Sequence, residues 1–463
     1  MKNKYIDLIE QSFEFPNEEF NVEDNQLQWH GIPLMDIIKQ YGTPLRISYL
    51  PAIANHIQHA RRMFNVAMAK VDYQGTYNYC YCTKSSHFSF VMETVLKQGV
   101  NLETSSAFDI FLLEALAEQG HLPKDRFILC NGFKRPQYVE NIQRIISDGF
   151  TNVIPILDNK FELDLLLDGF DLPIQVGMRM ASEEEPKFDF YTSRLGIRYS
   201  DLIPYYKQKI QNNPQVKLKM LHFFINTGIR DTSYYWNELN KGVNMYIELK
   251  KVCPELDSLN IGGGLPIQTH MDFSYEYEYM IEEIVTQVQN ACRQAGVPEP
   301  NIFTEFGSYT VGESGAILYS IVNQKQQNDR EKWNMIDSSF ITTMPDTWAI
   351  NQRFPFLAIN NWDKEYERVH LGGLTCDSED FYNAEVHSNA IFLPKMKDVD
   401  ELFVGFFNMG AYQEALSGYG GIKHCLIPAP KIVVIDRDEN GEYTTKLFAK
   451  EQSYKSMLKI LGY

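Results

Sequence analysis

The chain has 463 residues, of which 44% are hydrophobic and 13% aromatic, which is enough apolar side chain for a large core in more than one domain. Its 43 basic and 60 acidic residues give a net charge of -17 with no basic block, which argues against a nucleic-acid or anionic-membrane partner. The seven cysteines are scattered and form no CxxC pair, so the sequence indicates neither a disulfide framework nor a metal site.

The first stretch of the chain, MKNKYIDLIEQSFEFPNEEF, alternates charged and apolar side chains and contains no long apolar segment. This pattern is typical of neither a signal peptide nor a membrane span. We therefore expect a cytoplasmic protein with no membrane partner.

Short apolar runs alternate with segments of helical periodicity between residues 45 and 310. The strand-like runs are PLRISYL, TYNYCYC, FILC, NVIPIL, IQVGMRM, VKLKMLHFF, DSLNIGGG and NIFTEFG. The helical segments include HFSFVMETVLKQG, SSAFDIFLLEALAEQG and QYVENIQRIISDGF. The alternation predicts a parallel (β/α)8 barrel rather than an open doubly wound sheet, with seven or nine units as alternatives.

The pattern changes in residues 311–463, where short strands separated by turns predict a C-terminal antiparallel β domain. The strand-like runs are GAILYSIVNQK, NAIFLP, ELFVGFF and KIVVIDRDENGEYTTKLFA, the last a hairpin around DENGE. We expect residues 1–44 to pack with this β domain.

Two features at predicted strand ends could carry chemistry. Lys84 follows the TYNYCYC run, at the end where barrel enzymes hold functional side chains, although a solvated lysine is also common there. Gly262, Gly263 and Gly264 follow another run, where their backbone N–H groups could close around a phosphate or form an ordinary tight turn.

Three further places are ambiguous when taken alone. Glu305 ends the next run and could cap a helix or hold a proton on a ring nitrogen. Cys376 and Asp377 offer a thiol and a carboxylate in a loop of small residues that also suits an Asx turn. Tyr412 by itself indicates only a buried aromatic side chain.

The motifs taken together resemble a known family. YCYCTKSS, LETSSAFDI, LCNGFK, SRLGI, MLHFF, NIGGGLP, TEFG, TTMPDTW, LTCDSED and MGAYQE follow the order found in the fold-type III pyridoxal-phosphate decarboxylases. Within that group the chain most resembles the biosynthetic arginine decarboxylases, chiefly through CNGFK, MPDTWAINQRFP, LTCDSED and GAYQE. The resemblance implies an alanine-racemase-like TIM barrel, a C-terminal β domain and pyridoxal 5'-phosphate as the cofactor.

The resemblance also implies a role for each matching residue. Lys84 forms the imine with the cofactor, and Glu305 keeps the cofactor ring protonated so that it accepts the electrons left by CO2. Cys376 corresponds to the acid that reprotonates the carbanion, while Asp377 and Asp346 contact the substrate. The other implied cofactor contacts are Glu103, Ser106 with Asp109 behind it, Arg179, Phe224, Thr227, Gly262, Gly263, Gly264, Ser308 and Tyr412.

In this family Cys376 and Asp377 would come from the partner subunit, so we expect a homodimer with shared active sites. Two departures from the family pattern affect the cofactor. HFFINT stands where the family has HFHxGS, so Phe224 replaces the stacking histidine and Thr227 the phosphate-binding serine. EFGS stands where the family has E-x-G-R, so Ser308 replaces an arginine that pairs with the phosphate.

The leading functional hypothesis is decarboxylation of L-arginine to agmatine and CO2, in polyamine and spermidine biosynthesis. A second hypothesis keeps the fold and cofactor but takes another substrate, namely diaminopimelate, ornithine, lysine or carboxynorspermidine. A third, suggested by Phe224 and Ser308, is a weakened relative that acts as a binding or regulatory subunit. Against the third stands the retention of four family residues, namely Lys84, Glu305, Cys376 and Asp377.

Overall fold

The computed structural model describes residues 4–182, 193–382, 391–397 and 401–463. The chain divides into two compact units. The barrel unit comprises Ile53–Pro266 and Tyr275–Thr310, and the β unit comprises Met1–Ala52, Ile267–Ser274 and Val311–Tyr463.

The barrel unit is built around eight parallel strands that close into a barrel in the described part of the chain. Each strand pairs with the next along the chain, and the last pairs with the first through Ile302 opposite Tyr77. The strands are Tyr77–Cys82, Asn101–Thr104, Phe127–Cys130, Asn152–Leu157, Ile174–Met180, Val216–Phe223, Ser258–Asn260 and Asn301–Phe306. The predicted (β/α)8 class is confirmed.

Helices connect the barrel strands, as the helical periodicity predicts. Several bury one apolar face, for example Pro136–Ser147 through Val139, Ile142 and Ile145. The helices are Leu50–Lys70, Ser89–Lys97, Ala107–Glu118, Pro136–Ser147, Glu162–Leu167, Leu202–Tyr205, Ser233–Val252, Tyr277–Ala295 and Ser308–Val311, with short 3-10 turns at Thr83–Ser85 and Tyr199–Asp201 and a π-helical turn at Tyr206–Ile210.

Two strands differ from the sequence prediction. PLRISYL forms Leu45–Tyr49, which pairs with Gly315–Gln326 and Lys431–Arg437 in the β unit, so its assignment to the barrel was wrong. A short apolar run looks the same in either sheet, which is why periodicity could not place it. Conversely, Asn101–Thr104 completes the barrel although its sequence, NLET, is largely polar, and all four of its residues are buried.

The β unit contains a nine-stranded sheet among its described residues, so the predicted C-terminal β domain is confirmed. Most pairs are antiparallel, including the hairpin predicted around DENGE. Two pairs are parallel, because Leu45–Tyr49 lies beside Lys431–Arg437 and Lys332–Ile336 lies beside Tyr366–Gly372. The strands are Leu45–Tyr49, Gly315–Gln326, Lys332–Ile336, Phe356–Ala358, Tyr366–Gly372, Ile391–Pro394, Phe403–Phe407, Lys431–Arg437 and Tyr443–Ala449.

The N-terminal residues contribute to the core of the β unit. Buried Trp29, for example, packs against Phe407 with ring centroids 5.7 Å apart. The N-terminal elements are Tyr5–Ser12, Phe20–Glu23, Gln26–Trp29, Ile32–Pro33 and Leu34–Tyr41, and the remaining helices of the unit are Phe340–Thr343, Pro345–Ile350, Gln413–Leu416 and Tyr454–Leu461, with 3-10 turns at Gly312–Ser314 and His424–Leu426. Among the described helices of the chain, none combines the length and apolar character that a bilayer span requires.

Glu19 is a largely buried acid in the β unit. Its Oε1 accepts a hydrogen bond from Trp29 Nε1 at 2.8 Å. Burial raises the pKa of Glu19 to about 8, the Trp29 hydrogen bond opposes this rise, and the charge of Glu313 adds to it. The carboxyl therefore holds a proton in the folded protein at neutral pH.

We expect Glu19→Gln to stabilise the protein by about 4 kcal/mol at pH 8 and by less than about 1 kcal/mol at pH 5. The folded carboxyl keeps its proton up to about pH 8, whereas the unfolded one releases it near 4.5, so stability falls as the pH rises between these values. Because glutamine does not ionise, the variant does not lose stability in this way as the pH rises. Urea unfolding at both pH values is the measurement, with exposed Glu18→Gln as the control. An effect of equal size at both pH values would contradict the prediction.

Candidate active site

Lys84 lies just beyond the end of the first barrel strand. Tyr77–Cys82 continues directly into the one-turn helix Thr83–Ser85, which carries Lys84. In the parallel register Cys82 pairs with Glu103 of the neighbouring strand. The Lys84 Nζ atom consequently lies 2.8 Å from Glu103 Oε2 and donates a hydrogen bond to it.

Glu103 is completely buried, so its carboxylate depends on the groups around it. Besides Lys84, it accepts hydrogen bonds at Oε1 from Asn131 Nδ2 and from Ser105 Oγ, each at 3.0 Å. Both carboxylate oxygens are therefore bonded, which compensates for the loss of water.

The surroundings of Lys84 favour its charged form. Burial lowers the pKa of Lys84, but the negative groups nearby, chiefly Glu103 and including Glu305, outweigh this and hold the pKa well above its usual value. The side chain is nevertheless 42% exposed, so a ligand can reach it. Lys84 must give up a proton before its amine can attack a carbonyl group.

Asn131 links Glu103 to a second buried carboxylate, Glu305, which lies one residue before the end of the last barrel strand. Asn131 Nδ2 donates to Glu305 Oε1 at 2.9 Å as well as to Glu103 Oε1. Asn260 Nδ2 donates to the same oxygen of Glu305 at 2.6 Å. One amide thus fixes the positions of both acids relative to Lys84.

His222 lies beside this pair of acids as a neutral ring. Its Nδ1 is 3.8 Å from Glu305 Oε1 and has no hydrogen-bond partner among the described residues. Burial, together with the positive charge of Arg179, lowers the pKa of His222 to about 3. Arg179 is opposite His222 in the strand register, and its Nη1 lies 4.0 Å from Asp158 Oδ1.

The glycines predicted to bind phosphate form a tight backbone cradle. Gly264 has a φ of 98°, and a Cβ on Gly263 would lie 2.1 Å from the Glu305 carbonyl oxygen. A Cβ on Gly262 would lie 3.1 Å from Phe224 Cδ2, so the Phe224 ring sits against the cradle. Thr227 Oγ1 is buried and has no hydrogen-bond partner among the described residues, as expected of a donor that awaits an anion.

Ser106 and Asp109 form a capping box at the start of Ala107–Glu118. Asp109 Oδ2 accepts from the backbone N–H groups of Ser105 at 2.7 Å and Ser106 at 3.0 Å, and Oδ1 lies 3.0 Å from His87 Nε2. Burial raises the pKa of Asp109, but the hydrogen bonds to its carboxylate outweigh burial and lower the pKa below its usual value. The hydrogen bond from His87 makes the largest lowering contribution. Ser308 begins Ser308–Val311 directly after the last barrel strand.

The remaining predicted residues belong to the β unit. Cys376 Sγ lies 3.8 Å from Cys425 Sγ, and Asp377 Oδ2 lies 3.5 Å from His424 Nε2. Asp346 Oδ2 accepts a hydrogen bond from Gln413 Nε2 at 2.8 Å. Tyr412, with a φ of 66°, precedes Gln413–Leu416. The functional roles of these residues stay predictions.

Asp380 holds the loop that carries Cys376 and Asp377. It is 5% exposed and accepts hydrogen bonds from Thr375 Oγ1 at 2.7 Å and from the backbone N–H of Phe340 at 2.8 Å. The LTCDSED segment is therefore fixed at its base, while the Cys376 thiol is exposed.

Asn131, Asn260 and Ser105 are site residues that were not predicted from the sequence. Each lies in a quoted motif, CNGFK, NIGGG or LETSS, at the carboxyl end of a barrel strand. That position was the available signal, because such ends converge at one mouth of the barrel. The bonds that make these residues important join different strands and leave no local pattern.

One group of side chains at the site could hold a metal ion. It consists of Cys82, Glu103 and Glu305, whose ligand atoms all lie within 4.8 Å of one another. Burial raises the pKa of the Cys82 thiol well above its usual value, so it is a poor thiolate ligand. The two carboxylates are already bonded to Lys84, Asn131 and Asn260. A lysine-bound cofactor fits this donor set better than a metal does.

The barrel site has the groups that pyridoxal phosphate requires. Lys84 supplies a reachable amine, and Glu305 supplies a buried carboxylate for a ring nitrogen. Gly263 allows a close backbone approach, and Thr227 offers a hydroxyl that has no hydrogen-bond partner in the described part of the chain. These residues fit the cofactor that the sequence resemblance implies.

Comparison with known proteins agrees with this geometry. Residues 54–312 match the family described as "Pyridoxal-dependent decarboxylase, pyridoxal binding domain". The chain belongs to this family of pyridoxal-dependent decarboxylases, and the predicted family and cofactor are confirmed.

Individual relatives are distant but extend over most of the chain. The biosynthetic arginine decarboxylase of Geobacter sp. (strain M21) is 22% identical in an alignment that covers 96% of this chain and 85% of that protein. The crystal structure of the biosynthetic arginine decarboxylase of Campylobacter jejuni has a TM-score of 0.82 at 21% identity and covers 96% of this chain and 89% of that one. A diaminopimelate decarboxylase of M. jannaschii with L-lysine has a TM-score of 0.79 at 18% identity, covering 95% and 96%.

Proposed function

We propose that this protein decarboxylates L-arginine to agmatine and CO2, a reaction that supplies polyamine biosynthesis. The observation that carries the decarboxylase chemistry is the buried network in which Asn131 joins the Lys84–Glu103 pair to Glu305. The choice of arginine is supported by the arginine decarboxylases among the relatives. The cytoplasmic location stays a prediction.

Pyridoxal phosphate, when bound, supplies an electron-withdrawing ring that accepts the electron pair left by CO2. Glu103 Oε2 is positioned to take the proton that Lys84 Nζ must lose before attaching the cofactor. Glu305, oriented by Asn131 and Asn260, holds a proton at the ring nitrogen. Neutral His222 does not place a second positive charge beside Glu305.

We assign phosphate binding to the glycine cradle and to the hydroxyl of Thr227. We assign stacking on the cofactor ring to Phe224. Gly262, Gly263 and Gly264 allow the backbone to approach an anion closely. Ser106, Arg179, Ser308 and Tyr412 complete the contacts that we expect by motif position.

We assign proton return at the carbanion to Cys376 and recognition of the substrate's distal cation to Asp377 and Asp346. The hydrogen bond between the thiols of Cys376 and Cys425 raises the pKa of Cys376, which favours the protonated form that a donor needs. The carboxylates of Asp377 and Asp346 suit a guanidinium group.

We propose a homodimer in which Cys376 and Asp377 of one subunit serve the site of the other. In support, the Cys376 thiol is exposed and large apolar side chains are exposed near it in sequence, including Leu374 at 50% and Leu426 at 49%. Exposed apolar side chains of this kind are typical of surfaces that another chain covers.

The two substrate hypotheses and the regulatory hypothesis make different predictions for one experiment. Purified protein is incubated with pyridoxal phosphate and, separately, L-arginine, meso-diaminopimelate, L-ornithine, L-lysine or carboxynorspermidine. CO2 is then measured and the amine identified by mass spectrometry. We expect agmatine, with kcat/KM for arginine at least about tenfold above the others. A faster second substrate would replace arginine, and no CO2 from any of them would favour a regulatory role.

Cofactor affinity should respond to the two departures from the family pattern. Ser308→Arg should tighten binding of pyridoxal phosphate about tenfold by restoring a charge-assisted contact with the phosphate. Phe224→Ala should weaken it about three- to tenfold, because the stacking surface is lost. Absorbance titration gives the affinities, and circular dichroism checks that each variant is folded. Unchanged affinity in Phe224→Ala would mean that another residue stacks on the ring, with His222 the nearest candidate.

Shared active sites predict complementation between inactive variants. Lys84→Ala and Cys376→Ala, refolded together, should recover about a quarter of wild-type activity, because half of the dimers are mixed and each mixed dimer has one intact site. Lys84→Ala mixed with Glu305→Gln should recover none, since both residues belong to the same barrel unit. Mixed dimers without activity in the first combination would place Cys376 outside the partner's site.

A further inference from the structure

Cys376 and Cys425 differ from the other cysteines of the chain. All seven cysteines lie in described parts of the structure, and only these two are exposed. Their Sγ atoms are 3.8 Å apart although the residues are 49 positions apart in sequence. The two thiols are therefore close to each other and exposed on the surface of the single chain.

Two short loop segments bring the thiols together. Cys376–Asp377 faces His424–Cys425 through two contacts, the thiol pair and the 3.5 Å approach of His424 Nε2 to Asp377 Oδ2. Asp380 anchors the first segment, and the second is the 3-10 turn His424–Leu426, in which Cys425 has a φ of 52°. The pairing is thus set by the local fold of the β unit.

We propose that Cys376 and Cys425 are a redox modification site, at which a small-molecule disulfide converts the two thiols into a reversible intrachain disulfide. The expected loss of activity on oxidation rests on the proposed function, because it follows from the role of Cys376 as proton donor. An S–S bond is about 2.05 Å long, so the sulfurs must approach by about 1.8 Å, which side-chain rotation in exposed loops can provide.

The reaction is ordinary thiol–disulfide exchange in two steps. The Cys376 thiolate attacks one sulfur of oxidised glutathione, forms a mixed disulfide and releases one glutathione thiolate. The Cys425 thiolate then attacks the Cys376 sulfur and releases the second. The protein loses two protons and two electrons, and one molecule of oxidised glutathione is reduced to two thiols.

The remaining cysteines are protected from this exchange. Cys80, Cys82, Cys130 and Cys292 are buried, so a disulfide reagent cannot reach their thiols. Cys253 is also buried. Oxidation under mild conditions should therefore be confined to the exposed pair.

The test equilibrates the full-length protein in a series of reduced and oxidised glutathione buffers, followed by acid quenching, digestion and non-reducing mass spectrometry. We expect a peptide pair joined through Cys376 and Cys425 that separates on reduction with dithiothreitol. Cys425→Ser can form only a mixed disulfide at Cys376, and half-oxidation should need a buffer at least about tenfold more oxidising. Cys253→Ser is the matched control and should behave as wild type.

The outcomes separate this inference from the proposed function. A stable glutathione adduct without the joined peptides, or a link between two chains, would overturn the disulfide. Joined peptides with full decarboxylase activity would support the disulfide and contradict the role of Cys376 as the proton donor. Joined peptides with activity that is lost on oxidation and restored by dithiothreitol would support both.

Discussion

Lys84→Ala should abolish covalent attachment of pyridoxal phosphate and lower decarboxylation by at least about a thousandfold. Lys84 is 42% exposed and its Nζ is held 2.8 Å from Glu103. By contrast, Lys134 Nζ is fully buried and donates a hydrogen bond to the Gly132 carbonyl at 2.9 Å, so it is a poor substitute. No second substitution elsewhere in the chain should restore covalent attachment of pyridoxal phosphate to Lys84→Ala.

The measurement is reduction of the loaded protein with borohydride, followed by peptide mapping of the labelled lysine. Lys84→Arg is the second variant, because it keeps a positive charge opposite buried Glu103 and cannot form the imine. Lys160→Ala is the control, since Lys160 pairs with Asp201 at 2.6 Å on the surface. Label on another lysine in the wild type would contradict the assignment of Lys84.

Glu305→Gln should lower kcat by about 10²- to 10⁴-fold without unfolding the protein. Glutamine still offers an oxygen to Asn131 Nδ2 and Asn260 Nδ2, so the network that positions it survives. It lacks the negative charge that holds a proton at the cofactor ring nitrogen. The loss should therefore appear in kcat more than in the free energy of unfolding.

Steady-state kinetics and urea unfolding of the same samples test this separation. Glu299→Gln is a matched control, because Glu299 is another buried acid of the barrel unit and pairs with Arg293 at 2.9 Å. It should lower stability and leave kcat near the wild-type value. If Glu305→Gln retained kcat within about threefold, another group would have to hold the ring proton.

Sequence patterns by themselves determined the barrel and the residue types at its mouth. Alternating strand-like and helical segments reflect periods of two and 3.6 residues, which are local properties of the chain. Lys84 and Glu305 could be found because each lies within two residues of the end of an apolar run. The order of the quoted motifs then indicated the family and the cofactor.

Only the tertiary structure decided how those residues act together. Asn131 bonds to acids 28 and 174 positions away, and no local pattern records such a contact. Leu45–Tyr49 looked like a barrel strand until its partners placed it in the β unit, whereas Asn101–Thr104 is polar yet buried. The approach of Cys376 to Cys425 likewise joins residues that are far apart in sequence, 49 positions from each other. Contacts between distant residues depend on strand register and loop packing, and these are set by the whole fold rather than by the residues nearby in sequence.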